Sequence, residues 1–425
     1  MIKVNERKEI TVIDSIMGSG KTQWAIQRMN EANPPEKFIY ITPFLDEVDR
    51  IKKDVTNRQF VEPNNANDEG RKLRSLKDLI VQGKDIASTH SLFKTADDEL
   101  IELLTDSGYT IILDEVMDCV ASVEVKPSDI RKLERAGDIE INEGKVIWTG
   151  DPQDNSRYMD IRLVAQAGNL FYYRGKFLVW AFPPSVFNVV DDVTVMTYLF
   201  DGQTQRYYFD LYGFDCNYKA IKQVGERYEI TDHVVQNERR KELYALINIY
   251  DGKMNDIGES KNALSVTNLK RINKMADLDF MKKIRNNLRN FFDHKVGAKR
   301  ENVYYSTLKE IEGIIQPKGY KEPKVKKSDR GKRIKPKVVI PHNTRATNEY
   351  ADKWAMAYIF NRYMKQDIKV FFQDNEVKVN DDLLAVSDLL QWIYRSRIRN
   401  GEPVELYLPS SRMRGLLKQW AHYEI

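Results

Sequence analysis

The chain has 425 residues, 42% hydrophobic and 31% charged, a soluble globular composition too long for one average domain. No apolar run is long enough to span a bilayer and no leader pattern opens the chain, so a cytoplasmic protein without membrane partners is expected. The net charge of +4, from 67 basic and 63 acidic residues, decides nothing about nucleic acid by itself. Two cysteines and five scattered histidines suggest neither a disulfide framework nor a zinc site.

The first predicted element is an apolar strand over Ile10 to Asp14. It runs directly into Ser15-Ile16-Met17-Gly18-Ser19-Gly20-Lys21-Thr22 and then into a helix carrying Ala25, Ile26 and Met29 on one stripe. A Gly-rich turn between strand and helix, ending in Lys-Thr, is a phosphate cradle. Its backbone N–H groups and the helix N-terminus favour anionic oxygens, Lys21 neutralises the outer phosphates, and Thr22 offers a hydroxyl to Mg²⁺. Ser15 stands where the pattern has its first glycine, and Ser15, Met17, Gly18, Ser19, Gly20, Lys21 and Thr22 are the expected nucleotide-binding residues.

A second strand is predicted over Lys37 to Thr42, ending at Thr42-Pro43, with a charged helix from about Asp46. A third covers Lys84 to Thr89 and ends in Ser88-Thr89-His90. Tyr109 to Asp114 reads as a buried strand delivering Asp114 and Glu115 at its C-terminal end, where Asp114 would hold Mg²⁺ with Thr22 and Glu115 would orient or deprotonate an attacking water. Alternating strands and helices predict a parallel, doubly wound sheet whose ligands lie at strand C-termini.

Further strands are predicted at 145–149, 171–173, 177–180 and 193–200. Tyr207-Tyr208-Phe209 alternates as a packed strand would. A first domain is expected over residues 1–225.

From 226 the texture is polar and helical, with an amphipathic helix around Ile284 and Leu288. Residues 317–337 hold ten Lys or Arg against Glu322 and Asp329, a local charge of +8 on an expected hairpin or loop suited to a phosphate backbone. The remainder reads as a strand at 338–340, a helix over 350–363, a strand over 368–372 and a helix over 381–399. That order gives a second α/β lobe over 226–425, with a helical insert. On the last helix Gln391, Arg395 and Arg399 are spaced i, i+4, i+8 and would share one face. An arginine there could stabilise charge on a transferring phosphoryl group.

With these residues in view the chain resembles superfamily 2 helicases and translocases of the compact type found in phages and mobile elements. Ser15–Thr22 is similar to their motif I, Thr42-Pro43 to Ia, Ser88-Thr89-His90 to Ib, Asp114-Glu115 to II, and Thr197-Tyr198 to III. Arg345, Thr347 and Asn348 are similar to motif V, and Gln391 to Arg399 to motif VI. The resemblance implies two tandem RecA-like domains with a nucleotide cleft between them, ATP and Mg²⁺ as cofactors, and catalysis by Lys21, Asp114, Glu115, Gln391, Arg395 and Arg399. It also implies a nucleic-acid track over Thr42, Pro43, Ser88, Thr89, His90, Arg345, Thr347 and Asn348, with DNA favoured over RNA and replication or recombination proteins as partners. Tyr394 stands where motif VI usually has glycine, and no adenine-selecting glutamine motif is recognisable upstream. Two rivals remain open: a packaging motor with a nuclease built on Asp374, Glu376, Asp381 and Asp382, and an ATP-switched loader that never separates strands.

Overall fold

The computed structural model describes residues 7–153, 157–320, 326–327, 333–334, 338–342 and 350–425. It divides into two compact α/β units, Met1–His233 with Met364–Val379, and Val234–Tyr363 with Asn380–Ile425. The parallel α/β fold expected from the sequence is the one observed.

The first unit is built on β1 (Glu9–Asp14), α1 (Lys21–Glu31), β2 (Lys37–Thr42), α2 (Leu45–Asp54), β3 (Phe60–Val61), β4 (Asp85–Thr89) and β5 (Tyr109–Asp114). β5 is buried at all six positions, as a strand covered on both faces must be. An insert follows: β6 (Val120–Val123), β7 (Ile139–Asn142), β8 (Lys145–Trp148), β9 (Leu170–Tyr173) and β10 (Phe177–Ala181) form an antiparallel sheet in the order β6-β10-β9-β8-β7. Ile130, Leu133 and Ile161 from its helices pack on Val146, Leu170 and Leu178 to give the insert its own core.

The main sheet resumes with β11 (Asp192–Thr197) and closes with the hairpin β12 (Asp215–Val224) and β13 (Arg227–Asp232), in the order β13-β12-β1-β11-β5-β2-β4-β3. All its pairings are parallel except β12 with β13. β11 therefore lies between the strand that feeds the Gly-rich loop and the strand that ends in Asp114. Residue 225, the expected domain boundary, is the turn of the β12–β13 hairpin, which pairs from Lys219↔Asp232 to Val224↔Arg227.

The second unit carries β14 (Ile247–Ile249), β15 (Val303–Ser306), the short pair β16 (Lys326–Lys327) and β17 (Arg333–Ile334), β18 (Ala355–Tyr358) and β19 (Val404–Tyr407). Its sheet is parallel, β14-β19-β18-β15. β16 and β17 pair antiparallel within the basic run, where a hairpin or loop is expected.

Four local expectations are corrected. Residues 350–363 hold β18 rather than a helix; Ala355 to Phe360 are all buried, so the strand shows no alternation to betray it. Residues 366–374 are a helix rather than a strand, because Ile368, Phe371 and Phe372 bury one face at i, i+3, i+4. Tyr207, Tyr208 and Phe209 lie on a helix, Thr204–Tyr212, that buries all three rings instead of alternating them. The last predicted helix stops at Ile393, with Arg397–Asn400 forming a separate 3₁₀ turn.

Candidate functional site

The loop after β1 is shaped by two glycines in the left-handed region, Gly18 at φ 79° and Gly20 at φ 95°, where a side chain would be strained. At Gly20 a Cβ would also fall 2.1 Å from the ring of Tyr228 on β13. The ring closes on the loop because Gln27 of α1 clips the Tyr228 backbone, accepting from its N–H at 3.0 Å and donating to its carbonyl at 3.3 Å. Ser15 earns its place by a hydrogen bond a glycine could not make: its Oγ accepts from the Ile221 N–H at 2.9 Å, tying the loop to β12. Lys21 folds back so that Nζ donates to the Ser15 carbonyl at 2.5 Å and the Ile16 carbonyl at 3.3 Å. Thr22 sits in the first turn of α1.

Both halves of the predicted site hang on the end of β11. The Ser15 N–H donates to the Thr197 carbonyl at 3.0 Å, and the Glu115 N–H donates to the Met196 carbonyl at 2.9 Å. The Thr197 hydroxyl donates to Glu115 Oε2 at 3.2 Å. Just beyond, the Leu199 and Phe200 N–H groups donate to the two oxygens of buried Asp14 at 2.8 and 2.9 Å, fixing the turn in which Leu199 takes φ 54°. Glu115 is itself at φ 65°, a left-handed conformation that costs a non-glycine residue about 1 kcal/mol or more.

Asp114 is buried, and its carboxyl is pushed up to about 7, first by burial, then by the negative charges of Glu115 and of Glu47 on α2. The Tyr40 hydroxyl and the Lys21 ammonium act in the opposite direction. Burial beside Asp114 in turn drives Tyr40 well above the usual phenol range. Three carboxylates around one partly desolvated position make a place that a cation would stabilise. Among the described residues no group of three or more His, Cys, Asp or Glu could hold a metal alone, so a cation here would need further oxygens from a ligand or water.

Thr42 and Ser88 lie at the ends of adjacent strands β2 and β4, and their buried hydroxyls have no hydrogen-bond partner among the described residues. Pro43 follows, half-buried. Thr89 instead caps the short helix His90–Phe93, its side chain accepting from the Leu92 N–H at 3.4 Å, and His90 is buried at that helix start.

The candidates in the second unit are arranged otherwise. Gln391 is buried on helix Asp381–Ile393, its Nε2 donating to Ser387 Oγ at 3.5 Å. Arg395 lies beyond the helix end, 8% exposed and near Tyr304 and Tyr394; Arg399 lies on the 3₁₀ turn. The shared helical face expected of these three does not exist, since the helix ends before the first arginine. Arg345, Thr347 and Asn348 lie outside the described residues.

Asp14, Tyr40, Glu47, Tyr228 and Ile221 were not singled out by sequence. Asp14 carried a signal, a carboxylate closing an apolar strand immediately before the loop; the others come from distant segments and carried none.

Residues 120–180 match the YonV middle domain family, and residues 241–421 match the YonV C-terminal Rossmann-like domain family. The chain is 35% identical over 424 residues to the SPbeta prophage-derived uncharacterized protein YonV of Bacillus subtilis (strain 168), covering 97% of this chain and 98% of that one. The chain belongs to the YonV family. The YonV middle domain coincides with the antiparallel insert β6–β10, and the Rossmann-like domain with the parallel sheet of the second unit. Among solved structures, the chain is similar to XPD_APO at 14% identity and TM-score 0.49, over 96% of this chain and 95% of that one. It is also similar to the DUF1998 helicase MrfA bound to DNA and AMPPNP, at 10% identity and TM-score 0.34, spanning 98% of this chain but 48% of that one. No helix among the described residues is long and apolar enough to cross a membrane.

Proposed function

We propose that this YonV-family protein is a nucleic-acid-dependent ATPase of the superfamily 2 type, a translocase or helicase. The observation that carries the reading is the bracing of two motifs on one strand end: Ser15 and Glu115 both bond the backbone of β11, and Thr197 reaches Glu115 with its hydroxyl. The Gly-rich loop offers backbone donors and Lys21 to a triphosphate. Thr22 and Asp114 are the residues that would hold Mg²⁺, and the surplus negative charge around Asp114 fits a divalent cation. Bound there, Mg²⁺ would neutralise charge on the phosphate oxygens.

The chain's own residues then do the following. Lys21 leaves two loop carbonyls for the phosphates, Glu115 orients water with its carboxylate, and Thr197 holds that carboxylate in place. Nucleic acid is supported by the unpartnered hydroxyls of Thr42 and Ser88 and by the basic run at 317–337. The YonV relative is described as prophage-derived, which fits work on phage or mobile-element DNA.

The nuclease alternative finds no support. Arg174 grips Asp374 with both carboxylate oxygens at 2.5 and 2.6 Å, and Arg412 holds Asp382 at 2.6 Å, so these acids serve as ion-pair partners. The test is ATP turnover by the full chain with and without single-stranded DNA or RNA. Stimulation supports the proposal; turnover unchanged by any strand, or ATP binding without turnover, points to the loader reading, and neither binding nor turnover rejects both.

A further inference from the structure

The second unit holds a groove that the nucleotide site does not use. Helices Val266–Lys274 and Leu278–Arg289 pack with the turn around Lys253–Gly258, leaving a cavity of about 360 Å³. Asp256, Asn262, Asn268, Arg271, Phe280 and Lys283 line it. We propose that this groove binds one nucleotide of a single-stranded nucleic acid, a contact site separate from the strand ends of the first unit.

Charge comes first. Residues 266–289 hold seven Lys or Arg (270, 271, 274, 282, 283, 285, 289) against Asp277 and Asp279, a net +5 that attracts a polyanion. Three of these cations are neutralised nearby: Lys270 by Glu310, Lys282 by Asp279 and Arg289 by Asp293. The two that line the groove, Arg271 and Lys283, pair with no carboxylate among the described residues. Arg271 instead rests on its own helix, donating to Asn268 Oδ1 at 2.8 Å, an arrangement it can exchange for a phosphate.

The rest of the lining matches the other parts of a nucleotide. Phe280 packs against the core of the second unit and also lines the cavity, where its ring can stack on a base. Asn262 offers an amide donor and acceptor to a base edge, while Asn268 is held by the Ala263 carbonyl and Arg271, and Asp256 can accept from an exocyclic amine or a sugar hydroxyl. The volume suits a single nucleotide and is too small for a duplex. Where the two helices join, Met275 and Leu278 stand 67% and 57% exposed, an apolar tip against which a neighbouring base can rest.

This inference rests on the nucleic-acid reading above, and the test separates them. Anisotropy of labelled DNA and RNA strands of one sequence is followed across a salt series with the full-length protein, as wild type, as Arg271→Glu with Lys283→Glu, and as Phe280→Ala. The double charge reversal is expected to weaken binding at least tenfold and to lower the slope of log affinity against log salt by about two. Phe280→Ala is expected to weaken binding about tenfold with the slope unchanged. An unaltered circular-dichroism spectrum and thermal melt show that each variant is folded. If a charge-reversed variant does not fold, Arg271→Gln with Lys283→Gln takes its place. Loss on either strand supports the groove and names its ligand; wild-type affinity and slope in both variants overturn it while leaving the motor intact. A wild type that binds no strand overturns both.

Discussion

The strand ends of the first unit and the arginine segment of the second solve different problems. Around β11 every element is set before any ligand arrives: two backbone bonds, the Thr197 hydroxyl and the Asp14 carboxylate fix the loop, the acids and the turn together. The segment Gln391–Arg399 is placed by aromatic packing instead, with Gln391 and Arg395 buried near Tyr304 and Trp392. The contrast teaches that the first site is built for rigid positioning of charge. The second carries its arginines beyond a helix end, Arg395 packed against aromatic rings and Arg399 on the 3₁₀ turn.

The largest effects should come from breaking the chemistry on each side of that contrast. If Arg395 or Arg399 supplies the guanidinium for the transition state, its change to Ala lowers kcat by about 10³ to 10⁵ while leaving analogue binding nearly intact; the other arginine should then matter far less. Steady-state kinetics of the two variants identifies which, and two unaffected enzymes would remove the segment from catalysis. Glu115→Gln should lower kcat by about 10² to 10⁴ with nucleotide affinity retained, the signature of a residue acting on water rather than on binding.

Smaller effects sharpen the comparison through stability. The Asp114 carboxyl, normally at 3.8, is raised to about 7 in the fold, so the fold disfavours its charged form. The nucleotide-free protein should therefore lose stability as pH rises between 3.8 and about 7, and Asp114→Asn should lack that loss. Each pH unit across the window corresponds to about 1.4 kcal/mol, which denaturant melts at pH 4 and pH 8 resolve. Below the window the two proteins should be equal, and above it the variant should be the more stable. Ser15→Ala should cost about 1 to 3 kcal/mol, since it strands the Ile221 N–H in a buried position; Ser15→Gly should do the same, although glycine satisfies the loop pattern.

What the sequence showed follows the range of the interactions. The Gly-rich loop and Asp114-Glu115 were legible because each is a short run whose chemistry is local, and β5 announced itself as five strand-forming residues, Tyr109 to Leu113, closing on an acid. β18 was hidden because burial on both faces erases the period that separates strand from helix. Helix Gln366–Asp374 was hidden twice over. Its type lay in a spacing of three and four, and its home in the first unit depends on the ring pairs Tyr173–Phe371 at 5.5 Å and Tyr207–Phe372 at 5.7 Å, across about half the chain. The Gln391–Arg399 segment was legible as composition but not as geometry, since no helix-stop signal precedes Arg395 to separate it from Gln391.

The most direct measurement is equilibrium binding of a non-hydrolysable ATP analogue with Mg²⁺, by calorimetry, to the wild-type chain and to Lys21→Ala. The account predicts one site per chain and an affinity falling about 10²-fold or more in the variant, with a circular-dichroism melt to check that it folds, since Lys21 bonds the Ser15 and Ile16 carbonyls and acts on Asp114 in the free protein. Equal affinity in the two proteins, or no binding to the wild type, would contradict it.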